Sequence, residues 1–209
     1  MIERQRFTIF HEFAHTLFPD FCQFLPHHQS ASTTEDDLDY EFENLCDIAA
    51  AEMLLPHEDF ISDVQKLSWL GFEAVHNLRH RYVASIDATV YRLIDLAKTV
   101  STSVVFLTDV KGSHPGRGPL WVKSCRPNSM FKGYVLPGTQ PPASSITVRC
   151  LIQNIGTTAP VPETWWIKGR PRTYLVQAAR LPTISSSPEY PKVAALLFPV
   201  SYARNWIGN

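Results

Sequence analysis

The stretch His11-Glu12-Phe13-Ala14-His15 has the spacing H-E-x-x-H. On a helix, residues four positions apart lie one turn above each other on the same face, so both imidazoles can reach one metal ion. Glu12 lies beside His11 and can reach a water molecule at that ion without binding the ion itself. The spacing therefore predicts a zinc site with Glu12 as its catalytic base. The alternative interpretation is a pair of surface histidines on an amphipathic helix.

A catalytic zinc site also needs a third protein ligand and one open position. The segment 41–56 is predicted to be a helix that ends near Pro56, because proline disfavours helix in the residue before it. One face of this helix carries Glu43, Asp47, Ala50 and Leu54. A carboxylate on that face could reach the zinc ion from a second helix.

Two stretches of the chain resemble the ImmA/IrrE family of metallopeptidases. The first is Arg4-Gln5-Arg6-Phe7-Thr8, which leads directly into the H-E-x-x-H helix. The second begins at Glu43, continues four residues later with Asp47 where the family has Asn, and ends after small residues in Leu54-Leu55-Pro56. Together the two motifs span roughly the first 60 residues, and a weaker likeness extends beyond them.

The resemblance implies a zinc-dependent endopeptidase in which Glu43 is the third ligand beside His11 and His15. It also implies a protein substrate, a helix-turn-helix transcriptional repressor that is cleaved in a stress or mobile-element response. The competing class is a non-proteolytic regulator, in which the metal site organises a sensor that binds a partner protein or DNA.

Zinc peptidases commonly use a His or Tyr side chain to stabilise the oxyanion of the tetrahedral intermediate. Tyr40, His27 and His28 are the candidates for this role, because they lie near the two motifs in the chain. For the two histidines, the favoured alternative is a solvent-exposed pair.

The apolar pattern predicts an α+β protein with three regions. Residues 1–60 carry the zinc metallopeptidase motifs of a mostly helical, zincin-like domain. Residues 61–111 are predicted to form a helical region that resembles a helix-turn-helix, and residues 119–209 a β-rich C-terminal domain. Some members of the family carry a GAF-like sensor domain at this position, so a GAF-like fold is the expectation that the resemblance adds.

Within these regions, apolar periodicity predicts individual elements. Helices are expected from Asp59 to Leu67, from Phe72 to Arg81, and after Ser85, which can cap a helix with an apolar stripe. Strands are expected at Ser103 to Val110, Leu120 to Ser124, Ser145 to Gln153, Glu163 to Ile167, Thr173 to Ala179 and Val193 to Phe198. For Trp121, Trp165 and Trp166, a place in the β-domain core is favoured over a role in lining a pocket.

The net charge of −1 conceals a strong asymmetry along the chain. Residues 1–63 carry a net charge of −12, residues 64–118 carry +3, and residues 119–209 carry +8. The acidic part suits retention of a cation, whereas the basic part could bind nucleic acid, an acidic partner or the acidic part of its own chain. A solvated basic surface is an equal alternative. Residues 57–98 hold five basic and six acidic side chains, so packing is favoured over DNA contact.

Several absences predict a cytoplasmic protein that does not associate with a membrane. The sequence has no run of about 18 apolar residues and no apolar signal core near its start. Cys22, Cys46, Cys125 and Cys150 are scattered, which favours reduced thiols over a disulfide or cysteine–zinc framework. Only ten residues precede His11, whereas family members usually carry a strand and a helix upstream, so an internal start at Met1 is favoured over a shortened form of the protein.

Overall fold

A computed structural model of the chain describes residues 2–18, 33–98, 100–108, 110–111, 114–115, 120–182 and 192–202. The chain divides into two compact units. The first contains Met1–Gln65 and Asn77–Thr89, and the second contains Lys66–His76 and Val90–Asn209. Helices dominate the first unit and an antiparallel sheet dominates the second, so the fold class is α+β, as predicted. The domain boundaries drawn from the sequence stay predictions.

The first five described helices follow the order expected from the sequence, whereas the sixth occupies a segment that was expected to be a strand. They are α1 (Ile2–His15), α2 (Thr33–Leu54), α3 (His57–Gln65), α4 (Phe72–Tyr82), α5 (Ile86–Leu96) and α6 (Ile146–Ile152). Ser85 caps α5 as predicted, since its Oγ accepts a hydrogen bond from the backbone N–H of Ala88 at 3.1 Å. Among the described residues, no helix combines the length and the apolar character needed to cross a bilayer.

Helices α1 and α2 pack against each other in the first unit. Ala14 on α1 and Cys46 and Ala50 on α2 are fully buried, and their small side chains let the two backbones approach closely. Polar side chains on either side of these small residues therefore meet across the helix pair.

The Arg-rich stretch at the start of α1 has a structural role within this unit. The Arg6 guanidinium donates hydrogen bonds to the backbone carbonyls of Tyr82 and Val83, at 2.5 and 3.1 Å. These carbonyls lie at the C-terminal end of α4, where a helix leaves its last oxygens without internal partners and carries partial negative charge. Arg79 of α4 in turn pairs with Glu3 of α1 at 2.8 Å. The two contacts fix α1 against the end of α4.

The second unit is built on a five-stranded antiparallel sheet with the strand order β4-β1-β7-β6-β5. The strands are β1 (Ser103–Thr108), β4 (Trp121–Pro127), β5 (Val161–Ile167), β6 (Arg170–Arg180) and β7 (Val193–Pro199), and a separate pair is formed by β2 (Val110–Lys111) and β3 (His114–Pro115). The strands expected near 103–110, 120–124, 163–167, 173–179 and 193–198 are thus confirmed. β1, which precedes the Gly-rich stretch 112–119, pairs with β4 and β7, which follow it.

Both faces of this sheet are covered, which explains the continuous apolar runs of its inner strands. On one face, Trp69 packs on Phe198 and Tyr91 packs on Phe106, with ring centroids 5.0 and 5.3 Å apart. The other face carries an apolar cluster that includes Trp165. Trp165 therefore lies in the core as favoured, whereas its neighbour Trp166 points to the opposite face and is 58% exposed.

The strand predicted at residues 145–153 is wrong, because this segment forms helix α6. Its β-branched residues favour a strand by composition, but two polar contacts fix the start of a helix. Ser145 caps the first turn, and the Glu163 carboxylate from β5 accepts hydrogen bonds from Ser145 Oγ and from the backbone N–H of Ile146. Ile146 and Cys150, four residues apart, are then both buried against the sheet.

The described cysteines are buried free thiols, in agreement with the prediction of reduced cysteines. Burial raises the pKa of Cys150 to about 11 and raises that of Cys125 as well, so both stay protonated at neutral pH. Cys22 lies outside the described residues.

The start of α4 is tied to the sheet by a buried amide. Gln177 of β6 accepts a hydrogen bond from the Phe72 backbone N–H at 2.8 Å, and its own amide group donates to Glu73 at 3.0 Å. Gly71 makes this approach possible. A Cβ atom there would lie 2.5 Å from Gln177 Oε1 and would collide with the Trp69 indole.

We expect Gly71→Ala to destabilise the second unit by about 1–3 kcal/mol, because it overpacks this contact and displaces the Gln177 amide. Urea unfolding followed by tryptophan fluorescence measures the effect on that unit, to which all five tryptophans belong. Gly156→Ala is the matched control, since no atom lies within 4 Å of a Cβ placed there. Equal unfolding midpoints for the two variants would contradict the packing role of Gly71.

Candidate metal centre

Three potential metal ligands converge where α1 and α2 pack together. The Nε2 atoms of His11 and His15 are 3.2 Å apart. Glu43 of α2 places its Oε2 atom 3.1 Å from His11 Nε2 and its Oε1 atom 3.6 Å from His15 Nε2. The structure thus brings together the three residues for which the sequence predicted a ligand role, and this group could hold a metal ion.

The spacing of these donor atoms fits a small divalent cation. Zinc lies about 2.0–2.1 Å from nitrogen ligands, so two ligands at the corners of a tetrahedron are separated by about 3.3–3.4 Å. The observed separations of 3.1, 3.2 and 3.6 Å bracket this value. The site is accessible on one side, because the Glu43 side chain is 56% exposed whereas those of His11 and His15 are 18% and 15% exposed.

Asp47 determines which nitrogen of His11 faces the centre. Its Oδ1 atom lies 2.9 Å from His11 Nδ1, so it accepts a hydrogen bond from a protonated Nδ1. In neutral His11 this leaves a lone pair on Nε2, the form that a metal ion requires. Lone pairs of His11 and Glu43 then face each other at 3.1 Å, which is repulsive unless a proton or a cation lies between them. The donor set therefore fits a metal ion.

Cys46 lies behind the second histidine, with its Sγ atom 3.4 Å from His15 Nδ1. Burial raises the pKa of the Cys46 thiol, and the negative charges of Glu43, Asp47 and Glu12 raise it further. Without a metal ion, the thiol therefore stays protonated at neutral pH. Its sulfur can accept a hydrogen bond from His15 Nδ1, which would turn His15 Nε2 towards the centre.

Glu12 is the residue for which the sequence predicts the role of catalytic base, and that role stays a prediction. It follows His11 on α1, its side chain is exposed, and its charge acts on the Cys46 thiol. Next to the second histidine, the centroid of the Phe42 ring lies 5.2 Å from that of the His15 ring.

The three candidates for oxyanion stabilisation are not among the side chains that the structure describes. Tyr40 lies on α2, three residues before Glu43, but its side chain is outside the described part of the structure. His27 and His28 lie outside the described residues. Their role stays a prediction.

Sequence reasoning missed two contacts of this centre. The sequence shows Asp47 where the family has Asn, but it does not show that Asp47 is the partner of His11. Cys46 was interpreted only as a reduced thiol. The available signal was helical spacing, because on a helix residues 46 and 47 lie on the two sides of the face that carries Glu43.

The fold and the donor set define an α+β protein with a candidate metal centre on its H-E-x-x-H helix. Residues 2–94 match the family model described as the IrrE N-terminal-like domain, peptidase family M78. The N-terminal part of the chain therefore matches this peptidase family, and the resemblance to ImmA/IrrE proteins is confirmed.

A solved structure of similar fold is a Mycobacterium tuberculosis transcriptional regulator. The similarity covers 98% of this chain and 67% of that protein, with a TM-score of 0.53 and 15% sequence identity. At this identity the likeness shows the fold alone. No curated protein sequence is significantly similar to the chain.

We expect Glu43→Ala to lower zinc affinity by more than the roughly 10–100-fold that loss of an outer hydrogen-bond partner costs, because it removes a donor atom. Glu41→Ala is the matched control. Two positions along a helix correspond to a rotation of roughly 200°, so Glu41 points away from the centre. Zinc content and competition with a chelator measure both variants. A larger loss of zinc affinity in Glu41→Ala than in Glu43→Ala would identify Glu41, and not Glu43, as the third ligand.

We expect Asp47→Ala to weaken zinc binding by about 10–100-fold, since it removes the acceptor that orients His11. Asp47→Asn keeps an acceptor oxygen and should retain most of the affinity. Zinc competition titrations of the two variants give the comparison, and far-UV circular dichroism checks that α2 remains folded. If both variants bind zinc as the wild type does, the contact between Asp47 and His11 does not orient the ligand.

Proposed function

We propose that the chain is a zinc-dependent endopeptidase whose centre consists of His11, His15, Glu43 and Glu12. One observation carries this proposal. Two imidazole nitrogens and one carboxylate lie within 4.8 Å of one another, in a chain whose residues 2–94 match a peptidase family model. A divalent ion with three protein ligands and one open position is the arrangement of catalytic zinc sites.

Each side chain of the proposed centre has one task. A zinc ion bound there would supply Lewis-acid chemistry, polarising the scissile carbonyl and making water more acidic. Glu12 accepts the proton of the attacking water and returns it to the leaving amine, so the peptide bond is exchanged for a carboxylate and an amine. Asp47 and Cys46 hold the two histidines with their Nε2 atoms inward. Tyr40, His27 or His28 would stabilise the oxyanion.

The proposed substrate is a helix-turn-helix transcriptional repressor, cut in a cytoplasmic stress or mobile-element response. Family resemblance supports it, and the similar fold of a protein named a transcriptional regulator is compatible with a role in gene control. The antiparallel sheet of the second unit is proposed as a GAF-like sensor domain. We propose that residues 57–98 pack within the protein and do not contact DNA.

The alternative function is a non-proteolytic regulator or sensor that contains the same metal centre and binds a partner protein or DNA. The observation in its favour is the second unit, whose sheet and surrounding segments make up more of the chain than the peptidase motifs do. This alternative predicts metal binding without cleavage of any protein.

We expect Glu12→Gln to bind zinc as the wild type does and to lose at least about 100-fold in cleavage rate, because it removes the general base and no ligand. Zinc-loaded protein is incubated with a proteome-derived peptide library and with helix-turn-helix repressors, and new termini are counted by mass spectrometry. Glu41→Gln is the control for loss of a carboxylate and should cleave normally.

The outcomes separate the two functions. Cleavage by Glu12→Gln at the normal rate would refute the assigned base. Absence of new termini with zinc-loaded wild type, on peptides and repressors alike, would favour the regulator. Cleavage of peptides without cleavage of any repressor would support the endopeptidase activity and refute the proposed repressor substrate.

A further inference from the structure

A cluster of four cationic side chains surrounds a cavity in the second unit, within the strongly basic part of the chain. The cavity has a volume of about 260 Å³ and is lined by Lys132, Ile167, Lys168, Arg170 and Arg172. No carboxylate is among these lining residues, and in the described part of the chain none of the four cations has an assigned ion pair. The peptidase centre uses none of them.

The β5–β6 hairpin supplies three of the four charges and sets their direction. Ile167 pairs with Arg170, and Trp165 pairs with Arg172. Residues directly opposite each other in an antiparallel pair point to the same side of the sheet, so both arginines project from the face that carries Trp165 and Ile167. Lys168 lies in the tight turn between the strands, where it has a φ of 50°.

The segment after β4 supplies the fourth charge by folding over this hairpin. Phe131 stacks on Tyr174 of β6 at a centroid distance of 5.1 Å, and the Lys168 backbone N–H donates to the Tyr134 carbonyl at 3.3 Å. A Cβ atom at Gly133 would collide with the Ile167 side chain. The absence of a side chain at Gly133 therefore lets the loop descend onto the hairpin and places Lys132 opposite the arginines.

The cavity combines exposed cations with one buried apolar residue. Lys132, Lys168, Arg170 and Arg172 are exposed around it, whereas Ile167 is 1% exposed and gives the cavity an apolar floor. Like charges held around one cavity repel each other, and a bound anion removes that repulsion. Arginine presents a planar fork of donors that matches the oxygens of phosphate groups.

We propose that this cavity binds the phosphate groups of a small phosphorylated molecule. The volume lies below the roughly 300–1,000 Å³ of pockets for drug-sized ligands, which favours a phosphate or diphosphate group over a large organic ligand. Binding of a single-stranded nucleic acid would need aromatic side chains beside the cations on which bases stack. The exposed Trp166 projects from the opposite face of the sheet, because it neighbours Trp165 on the strand.

The test is isothermal titration of the full chain with inorganic pyrophosphate at constant ionic strength, in the absence of added divalent metal. The wild type should bind pyrophosphate, and Arg170→Gln/Arg172→Gln should bind at least about tenfold more weakly, since two charge-assisted contacts are lost. Lys98→Gln/Arg149→Gln is the matched control, which removes two positive charges from the same unit but outside the cavity. It should bind as the wild type does.

Further variants and probes make the result decisive. Arg170→Lys/Arg172→Lys keeps the charge but loses the fork, and should fall between the wild type and the glutamine variant. Unchanged thermal unfolding of each variant excludes misfolding as the cause. Equal weakening of pyrophosphate binding in the two double glutamine variants would show that general surface charge, and not the cavity, attracts pyrophosphate. Binding of a single-stranded DNA oligonucleotide without binding of pyrophosphate would overturn the proposal in favour of a nucleic-acid surface.

Discussion

The close packing of α1 on α2 is the constraint on which the candidate centre depends. Ala14, Cys46 and Ala50 are fully buried between the two helices, and larger side chains at these positions would push the helices apart. Wider separation of the helices would move Glu43 away from the two imidazoles. The small residues therefore help to hold the three candidate ligands together.

The negative charges around the two histidines favour the binding of a cation. Glu43, Asp47 and Glu12 place three carboxylates around two histidines, and all three raise the pKa of the Cys46 thiol between them. A divalent cation offsets this accumulation of negative charge, so metal binding and the packing of α1 on α2 favour each other. A family amide at position 47 would provide the same acceptor with one charge less. The carboxylate of Asp47 should therefore make the centre retain a cation more strongly.

The peptidase motifs could be read from the sequence because their geometry is local. The spacing of His11 and His15 fixes their common face on any helix. The start of α5 follows from its cap at Ser85, and its buried stripe follows from the spacing of its apolar residues. The orientation of His11 could not be read, since it depends on Asp47, which is 36 residues away in the chain. Helical spacing places Asp47 near the ligand face but does not state which side chain of the other helix it meets.

Helix α6 shows the limit of local patterns most clearly. Its β-branched residues are typical of a strand, and the decisive group is the carboxylate of Glu163, which arrives from a strand formed later in the chain. Glu163 also accepts a hydrogen bond from the indole N–H of Trp165 at 3.0 Å, so the same side chain fixes the start of the helix and a core tryptophan. A single half-buried acceptor with several donors can override the propensity of a seven-residue segment, because leaving those donors unsatisfied would cost more than the propensity difference. The cationic cavity could not be predicted from the sequence either, because it too depends on contact between distant segments. Lys132 and the β5–β6 arginines meet only because Gly133 allows two distant segments to touch.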